Sequence, residues 1–299
     1  MRLAIVLSLA LLVASRAQAG DVPYVRTHAT DNAGTQEDQC LHWNAGPVPY
    51  RASPGASGER VSESLAVDRA FQSWQTQMET CGNLSLDKGS ASMSRAVGYV
   101  SGGQNENLVL FREKSCATAV PSKIDACYEK QSCNNDYDCW PEAYGDKTIA
   151  LTTTTYDVKT GQLYDADIEL NASVFFFTTV DSPSCRAGTE SVNCVAYDVQ
   201  NTVTHEAGHL LGLDHTPDSR SVMYPKAPIG ELGKRTLDTG SLAFVCAAYP
   251  KGAASTDCTS GTSGGTSTKG CGGCSATGPG LLSGLVVAGF LVGVGRGRG

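Results

Sequence analysis

The sequence predicts an α/β fold in which a mixed, twisted sheet is backed by helices, because predicted helices and strands follow one another through its middle. Apolar residues recur at helical spacing from Ser62 to Met78, where Phe71 and Trp74 belong to the apolar set. Runs rich in apolar and β-branched residues are typical of strands: 108–111, 148–156 and 163–171. Two later segments are predicted to be helices: 198–211 and 238–249.

Length, charge and cysteine content limit the class of protein. The 299 residues are enough for a substantial core, and the formal net charge of -7 argues against nucleic acid as a partner. Twelve cysteines are many for a chain kept in a reducing compartment. Ten of them are predicted to form disulfides, with reduced core cysteines as the alternative: Cys40, Cys81, Cys116, Cys127, Cys133, Cys139, Cys185, Cys194, Cys246 and Cys258.

The beginning of the chain predicts export. Residues 1–19 contain an early arginine, an apolar run and small residues at Ala17 and Ala19, as a cleavable secretory signal does. A membrane anchor is the alternative, but the apolar run is too short to span a bilayer comfortably. A polar lead-in, 20–39, and a folded domain, 40–251, are predicted to follow. We therefore expect a protein that is secreted or held at the cell surface.

The end of the chain changes in composition. Residues 252–270 are rich in Gly, Ser and Thr and are predicted to be a flexible linker. The sequence "CGGC" at 271–274, an apolar stretch at 281–294 and terminal arginines follow. Together 271–299 resembles the MYXO-CTERM class of bacterial sorting tags, which implies a short hydrophobic helix, transient membrane association and processing of the tail. A simple C-terminal anchor is the alternative.

Three of the five histidines lie within the segment "HEAGHLLGLDH". His205 and His209 are four residues apart, so on a helix both imidazoles project from one face and are suited to bind zinc. Glu206 lies about 100° round the helix, where it cannot ligate the same ion but can reach a water held by it. Gly212 permits a sharp turn that returns His215 as a third ligand. Three protein ligands leave a fourth position open, which predicts one catalytic zinc ion.

These residues carry a family resemblance. The segment fits the metzincin signature HExxHxxGxxH, and "SVMYP" resembles the Met-turn that follows it. Within that clan the chain is most similar to the matrixins over residues 40–251, with Thr216 near the position of their serine. The resemblance implies a zincin fold with an active-site helix, a small C-terminal subdomain after Gly212, and Met223 packed beneath the metal ligands.

The sequence also departs from the matrixin pattern. No pro-segment with a zinc-binding cysteine fits between the predicted signal and the folded domain. Ala227 stands where the specificity-pocket wall has tyrosine, and Gly240 and Ser241 stand where the last helix has an acidic pair. No histidine lies between His42 and His205, so we expect the family's second zinc site to be absent.

The predicted function is that of a zinc metalloendopeptidase. Zinc would activate a water molecule, Glu206 would act as general base, and a protein or peptide substrate would lie extended beside 148–156. We expect a monomer. The alternatives are a zinc-binding surface or adhesion module without peptidase turnover, and a non-catalytic disulfide-rich module. The presence of Glu206 favours the enzyme.

Two weaker patterns lie near this motif. The acidic stretch "DADIE" at 165–169, with Asp157, has the oxygen ligands that calcium takes, although an acidic turn on a solvated strand face is the alternative. Cys185 and Cys194 are nine residues apart, just before the predicted active-site helix. A disulfide between them would brace the cleft.

Overall fold

The helices and strands predicted between residues 62 and 249 occur in the structure in the predicted order. The structure is a computed structural model that describes residues 21–259, apart from 32 and 54–60, together with the backbone of 284–291. The strands are β1 (Val25–Arg26), β2 (His28–Thr30), β3 (Gln36–Cys40), β4 (Gly46–Pro47), β5 (Tyr50–Ala52), β6 (Leu84–Ser85), β7 (Asn107–Phe111), β8 (Thr148–Tyr156), β9 (Leu163–Leu170), β10 (Phe177–Thr178), β11 (Tyr197–Asp198), β12 (Leu213–Asp214) and β13 (Gly284–Leu291). The helices are α1 (Val61–Cys81), α2 (Cys116–Ala119), α3 (Ala126–Lys130), α4 (Cys133–Tyr137), α5 (Val199–Leu210) and α6 (Thr239–Ala248). The predicted signal peptide and the "CGGC" sequence lie outside the described residues.

The central sheet is mixed, as predicted. Its strand order is β13-β8-β9-β7-β5, where β5, β7 and β9 run parallel and β8 runs antiparallel to both of its neighbours. Nearly every residue of β7, β8 and β9 is buried, which explains why these strands read as continuous apolar or β-branched runs rather than alternating ones.

Helices α1 and α5 lie against each other beside this sheet, and α5 also contacts β8. Phe71 and Trp74 of α1 face this core, and the Trp74 indole nitrogen donates to the Thr204 carbonyl of α5 at 2.9 Å. Phe244 and Val245 of α6 belong to the same apolar cluster. The part of the chain after Gly212 therefore shares the core of the domain instead of forming its own.

The ordered domain is longer at both ends than the predicted 40–251. The lead-in forms β1, β2 and β3, and Val25 of β1 pairs with Asp214. Arg26 donates to the Thr256 carbonyl at 2.6 Å. Backbone pairing needs no apolar side chains, which is why composition alone placed these residues outside the fold. Polar residues at both ends thus close the domain.

The prediction of a disulfide set is confirmed among the described residues, and it includes the bridge that closes the loop before α5. The disulfides are Cys40–Cys258, Cys81–Cys246, Cys116–Cys139, Cys127–Cys133 and Cys185–Cys194. Two of them lie in the insertion between β7 and β8, which has its own small apolar cluster around the four cysteines. Such a cluster is too small to order the insertion alone, so the bridges stabilise it.

The C-terminal apolar stretch differs from the prediction, because 284–291 forms a strand instead of a short helix. Gly284 and Gly289 disfavour a helix, and the β-branched Val286 and Val287 favour an extended chain. Strand β8 supplies the backbone partners that complete this strand. Within the described residues, no helix has the length and apolar character needed to cross a membrane.

Candidate metal centre and active site

Helix α5 carries the histidine motif and begins at a well-defined cap. The Asp198 carboxylate accepts from the Asn201 backbone N–H at 2.7 Å, which satisfies one of the free donors of the first turn. Arg235 donates to both oxygens of the same carboxylate, at 2.8 and 2.5 Å. The arginine also reaches Asp181, at 2.6 Å, so the loop before α5 is tied to the start of this helix.

The three histidines of the motif converge. The Nε2 atom of His215 lies 3.2 Å from Nε2 of His205 and 3.1 Å from Nε2 of His209. A tetrahedral zinc ion bound at about 2.0–2.1 Å holds its ligand nitrogens about 3.3 Å apart. The observed separations are therefore close to those that zinc requires, and these three side chains could hold a metal ion.

Backbone carbonyls orient two of these rings. The Nδ1 atom of His205 lies 2.6 Å from the Val222 carbonyl oxygen, and Nδ1 of His209 lies 2.8 Å from the Leu213 carbonyl oxygen. A carbonyl only accepts, so each Nδ1 carries the proton and each Nε2 keeps its lone pair. Burial, followed by the neighbouring imidazoles, lowers the pKa of both His205 and His209, which keeps them neutral as metal ligands must be.

Gly212 brings the third histidine to the other two. Its φ of +94° is in the left-handed region, and a Cβ there would lie 2.5 Å from the Leu41 carbonyl oxygen. Only glycine meets both conditions. The Thr27 N–H donates to the Gly212 carbonyl at 2.9 Å, so the turn is fixed from outside as well. The prediction that this glycine ends the helix agrees with the observed turn.

Met223 packs directly beneath α5. A Cβ at Gly208 would lie only 2.3 Å from the Met223 sulfur, which explains why the helix tolerates a glycine in its interior. The Asp238 carboxylate accepts from the Val222 N–H at 2.8 Å and also from the Gly240 N–H that begins α6. The Asp238 carboxylate thus joins the turn at Met223 to the last helix.

Glu206 is fully buried and faces β8. The Thr152 hydroxyl is 2.7 Å from Glu206 Oε2 and 3.0 Å from the Glu206 carbonyl oxygen. Among the described residues, Oε1 of Glu206 has no hydrogen-bond partner. Burial raises the pKa of Glu206 to about 8, and the bond from Thr152 opposes this rise. The carboxylate oxygen Oε1 therefore remains available as a proton acceptor on the helix that carries His205 and His209, and the three imidazole nitrogens fit a zinc ion.

Two residues of this site have no signal in the histidine motif. Thr152 lies 54 positions before Glu206, and Asp238 lies 15 positions after Met223. Asp238 is the first residue of the predicted segment 238–249, and an aspartate at the start of a helix is the usual signal for a capping residue. Nothing in the run of four threonines, 152–155, distinguishes the first of them from its neighbours.

The predicted acidic stretch on β9 divides into two environments. Asp157 accepts from the Lys159 and Thr160 N–H groups, at 3.0 and 2.9 Å, and so belongs to the turn before β9. Asp165 and Asp167 are buried, and Asp167 accepts from the Gly98 and Leu108 N–H groups. The alternative of a solvated acidic face therefore does not describe this pair.

Replacing Asp165 by Asn should make the protein less sensitive to a rise in pH. Burial raises the pKa of Asp165 to about 6, and burial with the charge of Asp165 raises that of Asp167 further. Between about pH 4 and about pH 6 the Asp165 carboxyl is ionised in the unfolded chain but still protonated in the folded protein. The parent therefore loses stability as the pH rises through this range. We expect the variant to gain about 1–3 kcal/mol relative to the parent between pH 4 and pH 7. Urea unfolding in calcium-free buffer measures this difference, and an equal effect at both pH values would contradict the prediction.

Comparisons with known proteins agree with this geometry. The chain matches the family model described as Matrixin over residues 42–243, about two thirds of its length. It is also similar to Metalloendoproteinase 1 of Glycine max, with 48% identity over 40 residues. That match spans 13% of this chain and 13% of the soybean protein, so it covers a small share of either. The matched residues contain the histidine motif, and the family has the mixed α/β zincin fold. The chain therefore belongs to the matrixin family of metallopeptidases.

Proposed function

We propose that this protein is a zinc-dependent metalloendopeptidase that hydrolyses protein or peptide substrates. Two features of the same motif carry the proposal. Three imidazole nitrogens converge, and the buried Oε1 atom of Glu206 has no hydrogen-bond partner among the described residues. His205, His209 and His215 would hold one zinc ion. Membership of the matrixin family and the partial likeness to a metalloendoproteinase support the same reading.

The chain's own residues supply the proton chemistry. When bound, the zinc ion would lower the pKa of a water molecule and polarise the peptide carbonyl. Glu206 would take the proton of the attacking water at Oε1 and deliver it to the departing amine. Thr152 holds the other oxygen, Oε2, so that the carboxylate keeps one orientation during both transfers. Burial by itself raises the pKa of Glu206, and the charge of a bound zinc ion would lower it again, toward the ionised form that a general base needs.

The proposal extends to location and partners. The sequence of 1–19 supports export, and the tail supports transient membrane association before or during processing. A substrate would lie extended along β8, whose middle contacts the general base through Thr152. We propose a monomer.

A calcium ion at Asp165 and Asp167 is a separate proposal. Its test is the unfolding midpoint, which added calcium should raise in the parent but not in Asp165→Asn.

The first test measures zinc and cleavage on the same sample. The chain ending at Thr259 keeps every described disulfide, and we expect about one zinc per molecule and cleavage of an unstructured protein such as casein. A chelator should abolish cleavage, and added zinc should restore it. Bound zinc without cleavage of any substrate would favour the zinc-binding surface module. A folded protein without zinc would exclude both functions.

Replacing Thr152 by Val should lower kcat about 10- to 100-fold and leave KM nearly unchanged, because a hydrogen bond to a charged group is lost. Thr152→Ser keeps the hydroxyl and should restore most of the rate. Thr153→Val is the matched control, since the buried Thr153 hydroxyl has no hydrogen-bond partner among the described residues. Equal losses in Thr152→Val and Thr153→Val, at equal zinc content, would mean that strand packing explains the effect.

A further inference from the structure

The strand β13 lies beside the edge at which the proposed substrate would bind. Without it, β8 would be the outermost strand of the sheet, next to β9. Strand β13 pairs antiparallel with β8 from Gly284, opposite Tyr156, to Leu291, opposite Thr148. The pairing therefore covers the whole length of β8.

Strand β13 also runs past the residues that the proposed function assigns to catalysis. Ala288 is opposite Thr152, the residue whose hydroxyl bonds Glu206. Strand β13 further contacts helix α5, which carries the histidines, and β2. An extended chain on this edge thus lies beside the strand that carries Thr152 and in contact with the helix that carries Glu206.

Burial at the site agrees with a covered edge. An unpaired edge strand exposes a row of backbone N–H and C=O groups to solvent. Here every residue of β8 is buried, Glu206 is 0% exposed and His209 is 3% exposed. A general base that acts on proteins must be reached by its substrate, so the edge has to be vacated before turnover.

We propose that the edge of β8 is the docking surface for the chain's own C-terminal segment, 284–291, and that this segment excludes substrates until the tail is removed. The proposal rests on the peptidase function above and adds its regulation. The 24 residues from 260 to 283 span up to roughly 80 Å when extended, so one molecule suffices to supply the strand. A tethered segment competes at an effective concentration on the order of millimolar, which exceeds that of an ordinary substrate.

The occupant follows from the chain itself. The segment is uncharged and rich in Val, Leu and Gly, and its backbone pairs with an edge strand whose residues are mostly threonine. Backbone pairing gives such recognition its strength without a special side chain.

The test compares the full chain with the chain ending at Thr259. The truncated protein keeps all the described disulfides and the apolar core between Ala29 and Tyr249. We expect it to cleave casein at least about 10-fold faster than the full chain at equal zinc content. Hydrogen exchange of the 148–156 amides should become faster on truncation. Equal cleavage by both proteins, or unchanged exchange, would overturn the proposal.

Two proline variants of the full chain test the pairing without truncation. Neighbouring residues of a strand direct their N–H groups to opposite sides, so one of Val286 and Val287 donates toward β8 and the other away. Proline is tolerated only where the N–H faces outward. We expect one of Val286→Pro and Val287→Pro to release activity and the other to remain blocked. Equal effects of the two would contradict backbone pairing.

Two further outcomes identify other occupants or a failed function. Activity of the full chain that rises on dilution would mean that a second copy supplies the strand, which overturns the intramolecular proposal. Cleavage by neither protein, with zinc bound to both, would defeat the peptidase function and its regulation together. In that case the exchange of the 148–156 amides still decides separately whether the edge is occupied.

Discussion

Replacing Glu206 by Gln should reduce kcat at least about 100-fold while the zinc content stays near one equivalent. Glutamine has the same shape and can still bond the Thr152 hydroxyl, but it cannot accept the proton of an attacking water. The three histidine nitrogens are untouched by the change. The measurement is casein cleavage by the chain ending at Thr259, with zinc determined on the same sample.

The control for this variant is Glu79→Gln. Glu79 is exposed on α1, where it bonds Gln75, so its loss should leave both zinc and rate unchanged. Unchanged cleavage in Glu206→Gln would remove the general-base role from this residue. Loss of zinc in the same variant would instead mean that the substitution disturbs the helix.

Replacing Trp74 by Ala should have the largest effect on stability, about 3–5 kcal/mol. The indole is fully buried, and its Cζ2 atom lies 3.2 Å from the position that a Gly208 Cβ would take. Truncation therefore opens a cavity directly behind the histidine helix and leaves the Thr204 carbonyl without its donor. Urea unfolding with the disulfides intact measures the loss.

Trp74→Phe separates the two contributions. It keeps most of the volume and removes the N–H, so we expect a loss of about 1–2 kcal/mol. Because α5 carries two of the three proposed zinc ligands, Trp74→Ala should also release zinc more readily to a chelator. A cost below about 1 kcal/mol for Trp74→Ala would show that the helices adjust to the cavity.

The convergence of the three histidines could be predicted from the sequence because the motif is local. His205 and His209 share a helix face by spacing alone, and Gly212 determines where His215 returns. No assembly of distant segments is needed to place these nitrogens. Cys185 and Cys194 are also close in sequence, which is why this disulfide could be predicted as a specific pair.

The contacts that the sequence did not predict are the distant ones. Thr152 meets Glu206 only because β8 packs against α5, and four consecutive threonines offer no way to tell which one does so. The resemblance of 271–299 to a sorting tag implies a short hydrophobic helix, whereas 284–291 is a strand. Its conformation depends on a partner strand more than 100 residues earlier. Strand β1 of the lead-in likewise depends on a distant partner, β12.

If the proposed peptidase activity acts on other copies of the chain, two of the disulfides limit the damage. Cys81–Cys246 and Cys40–Cys258 each join the early part of the domain to its end. A single cut in any loop between residues 81 and 246 leaves both fragments covalently attached and the histidine helix anchored on the α1 side. Such nicked molecules would migrate as one band without reductant and as two with it. Accidental self-cleavage would then be visible on a reducing gel, while the two fragments that form the proposed active site would stay joined by the disulfides.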